Sequence, residues 1–236
     1  MTQYKGLLFD KDGTLIDFMA SWLPLIHEAS KKMAGGDEQT AAEMLAATGY
    51  DAEQDIILGG SVLAAASNRE IAEHWAPFIK RPLDDALVDE LNTIFQQGST
   101  EHSVPVTDLG ALFDLFRARG LKLGIATSDS EQGIHSSLGR FNVLDKLDFI
   151  CGYDTGHGIK PGAGMVNGFC AETGLKPEEV IVVGDNLHDI EMARNAEAGM
   201  AIGVLTGTSS AQLLGEHADH VLNNINEIPA LLDRLQ

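Results

Sequence analysis

Apolar residues follow two rhythms along the chain. One recurs every three to four positions, as on a helix face; the other consists of short continuous runs, as in strands buried on both sides. Helical spacing covers residues 19–33, where Gly35 and Gly36 supply a stop, and returns over 38–48, 68–79 and 84–97. No strand-like run interrupts this block, so residues 18–100 are predicted to form a helical bundle. From Val104 onward helices alternate with the runs "LKLGIA", "DFICG", "EVIVVG", "MAIGV" and "HVL". That alternation predicts a parallel sheet covered by helices on both faces. The opening run "GLLF" has no other sheet to join. The expected fold is therefore α/β: a doubly wound, Rossmann-like parallel sheet built from residues 1–17 and 101–236. A helical domain, residues 18–100, is inserted after its first strand.

Composition narrows the function classes. With 236 residues, 44% of them apolar, the chain can bury a sizeable core. Its formal charge of −19 argues against a nucleic-acid backbone as partner, and any anionic substrate would need a local cation. No apolar run is long enough to span a bilayer, so no membrane partner is expected. The opening residues "MTQYKGLLFDKDG" lack a basic region followed by a long apolar stretch. No secretory signal is therefore expected, and the cytoplasm is the expected location. The two cysteines, Cys151 and Cys170, lack a metal-binding or redox spacing and are expected as buried thiols.

In open α/β sheets, ligands bind beyond the carboxyl ends of the strands. Here those ends carry unusual chemistry. "GLLF" runs into Asp10-Lys11-Asp12-Gly13-Thr14, "LKLGIA" into Thr127-Ser128-Asp129, and "EVIVVG" into Asp185, with Asp189 four residues on. The loop after "DFICG" carries Asp154, His157 and then Lys160-Pro161. Residues two apart on an extended chain point the same way, which places Asp10 and Asp12 on one side and Lys11 on the other. Two carboxylates so close repel unless a cation lies between them. Asp10, Asp12 and Asp185 form an oxygen-rich set suited to Mg²⁺. Thr127, with Ser128 beside it, and Lys160 offer a hydroxyl and a fixed positive charge to phosphoryl oxygens. A carboxylate nucleophile, a second carboxyl group to move a proton, a metal and a phosphate clamp together suit phosphoryl transfer through an aspartyl-phosphate.

These four strand ends, in this order, resemble the motifs of the haloacid dehalogenase superfamily. Its Asp-x-Asp-Gly-Thr/Val is similar to Asp10–Thr14, and its strand ending in Thr or Ser to "GIATSD". Its Lys-Pro is similar to Lys160-Pro161, and its Gly-Asp-x-x-x-Asp to "VVGDNLHD". A helical insert after the first motif resembles the alpha-helical cap class, which contains phosphoglycolate phosphatases and beta-phosphoglucomutases. The resemblance implies that Asp10 is the nucleophile and Asp12 the general acid and then base. It implies that the Asp10 carboxylate, the Asp12 carbonyl and Asp185 hold the metal, with Asp189 supporting that site. It also implies a phosphotransferase rather than a dehalogenase, because dehalogenases of the family lack an acid at the Asp12 position. Two positions depart from the family pattern: Lys11 stands where an apolar residue is usual, and Gly-Ala-Gly follows Lys160-Pro161 where a second proline and an acid are common.

The expected activity is hydrolysis of small phosphate monoesters, phosphoglycolate-like or sugar phosphates, by a monomer or homodimer. A phosphomutase would share every motif. A signalling receiver domain combines similar residues, but its phosphorylated aspartate lies on a middle strand and it has no helical insert. Nothing supports a non-catalytic relative, since all the acids are in place. Some positions keep two readings. Thr127 either caps the helix after it or binds phosphate, and Asp189 either complements the dipole of its helix or supports the metal. Ser61 or Arg69 in the insert contacts the leaving group, or Arg69 is a surface residue. His157 faces substrate or lies solvated in its loop; His217 and His220 read as surface residues, and Trp22 and Trp75 as packing of the insert.

Overall fold

The computed structural model describes residues 4–235. The chain divides into two compact units, Met1–Phe18 with Val104–Gln236, and Met19–Ser103. Strand β1 (Gly6–Phe9) opens the first unit. The insert then runs through α1 (Phe18–Met33), α2 (Glu38–Thr48), β2 (Tyr50–Asp51), β3 (Ile56–Ile57), α3 (Val62–Ala65), α4 (Asn68–Trp75) and α5 (Asp85–His102). The first unit resumes with α6 (Leu109–Ala118), β4 (Lys122–Ala126), α7 (Glu131–Leu138), β5 (Phe149–Cys151) and α8 (Gly164–Thr173). It finishes with β6 (Val180–Gly184), α9 (Leu187–Asn195), β7 (Met200–Val204), α10 (Ala211–Gly215), β8 (His220–Leu222) and α11 (Ile228–Leu235).

The insert is mostly helical, as its spacing predicts, but not wholly so. Tyr50 and Asp51 pair antiparallel with Ile57 and Ile56, a hairpin too short to leave a periodic signature. Helix α4 stops at Trp75 rather than at residue 79: Ala76 still has helical backbone, but Pro77 has no N–H to continue the hydrogen-bond ladder. Helix α5 runs past its expected end at 97 to His102. Gly98, one residue beyond that expected end, is a buried contact point where any side chain would collide with Leu25 of α1. Trp75 is fully buried and donates its indole N–H to Thr48 Oγ1 at 3.2 Å. Among the described residues, no helix is long and apolar enough to cross a membrane.

The six strands of the α/β unit are all parallel, in the order β5-β4-β1-β6-β7-β8. The period-two alternation of strands sorts their residues between two core layers. Leu7, Phe9, Ile181, Val183, Ile202 and Val204 pack with α6, α7 and α11 on one face. Leu8, Val180, Val182 and Ala201 pack with α8, α9 and α10 on the other. Phe9 is sandwiched near Phe113 and Phe116, with ring centroids 5.9 and 6.0 Å away. Burying each such ring contributes roughly 1.5–3 kcal/mol. The winding runs outward from β1 through β4 to β5, and from β6 through β7 to β8. It therefore reverses between β1 and β6, and in open sheets the crevice beyond the strand ends at such a reversal is the usual binding site. Asp10 directly follows β1 and Asp185 directly follows β6.

Candidate active site

Strand geometry ends at Phe9. Asp10 still joins the sheet, its N–H donating to Val183 O at 2.8 Å, but the chain then bends. The Lys11 carbonyl accepts from the N–H groups of Leu15 and Ile16, both at 2.9 Å, and closes a tight turn. Gly13 sits in this turn with φ of +81°, a conformation costly for any residue with a Cβ. A Cβ there would also lie 2.6 Å from Asp185 Cγ, so the glycine lets the first loop close onto the end of β6.

Three carboxylates meet at this point. Oxygens of Asp10, Asp185 and Asp189 lie within 4.8 Å of one another, the one such cluster among the described residues. Lys160 reaches in from the loop between β5 and α8. Its ammonium is 2.5 Å from Asp10 Oδ1 and 2.5 Å from Asp189 Oδ1. The Asp189 Oδ2 accepts from the Asn186 N–H at 3.1 Å, closing a capping box at the start of α9. Asp185 Oδ2 accepts from the Thr208 N–H at 3.2 Å. Beside it Gly207 packs so closely that a Cβ would overlap the carboxylate. Thr206 Oγ1 donates to Gly13 O at 2.6 Å, so the loop after β7 braces the first loop.

The electrostatics follow from burial. Burial, and then the neighbouring Asp10 and Asp189 carboxylates, push the Asp185 carboxyl well above its usual range. Asp10 is pushed up to about 7, first by burial; the Lys160 ammonium opposes this and Asp189 adds to it. The Lys160 ammonium itself is held charged: burial opposes its charge, but the Asp10 and Asp189 carboxylates outweigh it and raise its pKa. One ammonium therefore serves three buried carboxylates, which leaves an excess of negative charge on oxygen ligands. This donor set fits a hard divalent cation such as Mg²⁺.

The expected site residues fall into place unevenly. Asp12 lies outside the carboxylate cluster, which contains Asp189 in its stead. The expectation that Lys11 points away from Asp12 fails, because alternation applies only while the chain is extended. Past the bend, Lys11 Nζ lies 2.5 Å from Asp12 Oδ2 and 3.1 Å from Asp129 Oδ2. Thr127 is buried at the end of β4, its Oγ1 accepting from the Asp129 N–H at 3.2 Å, while Ser128 beside it is exposed. Ser130, not Thr127, caps α7, accepting from the Gly133 N–H at 3.0 Å. Asp154 caps the same helix start through the Glu131 N–H at 2.9 Å. His157 is exposed and packs edge-on against Phe149, with centroids 5.4 Å apart.

In the insert, Arg69 is exposed on α4 and pairs with Asp85 at 3.1 Å. Ser61 precedes α3 with its Oγ buried and without a hydrogen-bond partner among the described residues. Sequence reasoning missed Thr206, Gly207 and Thr208. The signal was the run of small and hydroxyl residues, "TGTSS", at the carboxyl end of β7.

Residues 7–203 match the family model of haloacid dehalogenase-like hydrolases. The chain belongs to this family, as the four strand-end motifs imply. Among curated relatives, it is 27% identical to the phosphoglycolate phosphatase of Chromobacterium violaceum over 228 residues, covering 97% of this chain and 96% of that one. It is 27% identical to the pyrophosphatase PpaX of Bacillus mycoides over 181 residues, covering 72% and 84%. Among solved structures, a protein from Haemophilus somnus assigned as a phosphoglycolate phosphatase superposes with a TM-score of 0.75 at 18% identity, covering 98% and 99% of the two chains. One from Thermotoga maritima assigned as a beta-phosphoglucomutase gives 0.74, also at 18%, covering 98% and 100%. These likenesses establish the α/β fold with a helical insert.

Proposed function

We propose that this protein is a Mg²⁺-dependent phosphatase of small phosphate monoesters that works through an aspartyl-phosphate on Asp10. The observation that carries the proposal is the buried group at the reversal of the sheet, in which Asp10, Asp185 and Asp189 cluster and one ammonium, that of Lys160, contacts Asp10 and Asp189. The curated relatives named as phosphoglycolate phosphatase and pyrophosphatase support the same chemistry.

In this reading the Asp10 carboxylate, the Asp12 carbonyl and Asp185 hold Mg²⁺, and Asp189 supports the site by fixing Lys160. The ion, when bound, offsets the repulsion between an anionic ester and an anionic nucleophile. Lys160 and the hydroxyls of Thr127 and Ser128 orient the phosphoryl oxygens. An Asp10 oxygen forms a bond to phosphorus as the ester P–O bond breaks, and Asp12 gives its proton to the departing alkoxide. Asp12 then takes a proton from water, whose oxygen attacks phosphorus. Inorganic phosphate leaves and the Asp10 carboxylate is restored. A phosphomutase would use the same groups and return the phosphoryl group to a second hydroxyl. The relatives named as hydrolases favour water as the acceptor.

The test is phosphate release from phosphoglycolate, several sugar phosphates, pyrophosphate and a nitrophenyl ester, with Mg²⁺ or with EDTA. Wild type should turn over at least one ester only with Mg²⁺, and Asp10→Asn should release nothing. Release that persists in Asp10→Asn would exclude the aspartyl-phosphate. A phospho-enzyme that forms but resists water would move the reading to a mutase.

A further inference from the structure

We propose that Lys11 is a positioning residue that holds the Asp12 carboxyl group in place for proton transfer to the leaving group. This inference rests on the phosphatase reading above and assigns a role to a residue which that mechanism does not use.

The Lys11 side chain is only 1% exposed, and its ammonium lies 2.5 Å from Asp12 Oδ2 and 3.1 Å from Asp129 Oδ2. Asp10 and Asp12, separated by Lys11 alone, thus each contact a different buried cation: Lys160 for Asp10, Lys11 for Asp12. Sequence neighbours cannot meet in this way on an extended chain. The bend that allows it is closed by the backbone of the same residue, since the Lys11 carbonyl accepts from Leu15 and Ile16.

The other partner leads toward the phosphate-binding side. Asp129 gives its N–H to Thr127 Oγ1 at 3.2 Å, takes the Ser130 N–H on Oδ1 at 2.7 Å, and offers its carbonyl to the Tyr153 N–H at 3.0 Å. Lys11 therefore ties the loop carrying Asp12 to the loops after β4 and β5. Stability alone does not require a charge here. A well-packed apolar side chain commonly stabilises a buried position as well as an ion pair does. What an ammonium adds is direction: it fixes where a carboxylate oxygen sits.

The test compares leaving groups. Nitrophenolate departs without a proton, whereas an alkoxide such as glycerol needs one in the transition state. The parameter is kcat/KM with Mg²⁺, which covers steps up to formation of the phospho-enzyme, for nitrophenyl phosphate and glycerol phosphate. Lys11→Met should lower the glycerol phosphate value by about 100-fold and the nitrophenyl phosphate value by less than about 10-fold, since a general acid contributes about 10²–10⁴-fold. Asp129→Asn should shift the same ratio in the same direction by a few-fold. Equal losses on both esters, or no loss, would overturn the proposal and leave Lys11 a structural residue. Should circular dichroism show Lys11→Met unfolded, Asp129→Asn decides, and an unchanged ratio overturns it. Any alkyl ester of the panel above that wild type hydrolyses serves in place of glycerol phosphate. Wild type inactive on every ester of that panel would remove the phosphatase reading and this inference together, before any variant is compared.

Discussion

Replacing Lys160 by methionine keeps most of the stem volume and deletes the charge between Asp10 and Asp189. At 2.5 Å, each of its two contacts represents about 7 kcal/mol of gross attraction at an effective dielectric of about 20. Desolvation of the ions offsets most of this, and removing one partner from a buried pair typically costs about 3–5 kcal/mol. The upper half of that range applies here. Lys160 and Asp189 are each only 3% exposed at the side chain, so water cannot solvate the carboxylates left behind. The measurement is amide hydrogen exchange in β1 and β6 at pH 8 with EDTA, so that no divalent ion substitutes for the ammonium. Lys160 lowers the Asp10 pKa from what burial alone would give, so its loss moves that value further above about 7. Working at pH 8 limits how much of the cost a proton on Asp10 can recover. A loss of about 4–5 kcal/mol appears as exchange about three to three and a half orders of magnitude faster in the most protected amides. Tryptophan fluorescence would be a poor probe, because Trp22 and Trp75 both belong to the inserted unit. A change of less than about 1 kcal/mol would refute the reasoning, since it would mean that the ion pairs contribute little beyond their desolvation.

Two further outcomes follow from the same geometry. Asp148 takes hydrogen bonds from Lys122 Nζ at 2.8 Å and from the Leu123 N–H at 3.0 Å, tying the edge of β5 to β4. Burial pushes its carboxyl up, but these bonds and the Arg117 charge outweigh it, so the folded value lies below the usual one. A lowered folded pKa means that the stabilisation is complete above about pH 4 and is lost as pH falls through the folded value. Urea unfolding should therefore show Asp148→Asn less stable by about 1–2 kcal/mol at pH 7, with the gap closing below about pH 4; a gap that widens in acid would contradict this. Gly13→Ala should cost about 1–3 kcal/mol, from its φ of +81° and from the push on Asp185. Calorimetric titration should also show weaker Mg²⁺ binding, and unaltered binding would mean that Asp185 tolerates the displacement.

Much of this architecture was legible because parallel strands buried on both faces must be continuous apolar runs, and such runs stand out. "MAIGV" and "HVL" matched their strands to the residue. Residues at strand ends were legible for a related reason: Asp10 and Asp185 are polar interruptions where an apolar run stops. What escaped notice depends on contacts that carry no period. The β2–β3 pairing is two residues long, and Gly98 continues a helix because Leu25 needs the space. Asp189 belongs to the carboxylate cluster because the start of α9 packs it against the end of β6, and Asp12 pairs with Lys11 past a bend after Phe9; no alternation rule describes either contact. The burial of Lys11 was hidden for the same reason.

The placement of β1 at the centre of the sheet has a consequence for biosynthesis. Its neighbours are β4 and β6, and Lys5 at its start meets Glu179 across a separation of 174 residues. At about 5–20 residues per second, translation of that interval takes roughly 10–35 s. Until β4 is made the apolar "GLLF" segment has no strand to pair with, and until β6 follows only one of its two edges is covered. The inserted unit, by contrast, is one uninterrupted stretch, Met19–Ser103, that can fold as soon as it clears the ribosome. The expected order of folding is thus the reverse of the order of the chain's first segments: the insert first, the strand before it last. Nascent chains stalled before Lys122 should protect the insert from protease while leaving the segment around Phe9 open to cleavage.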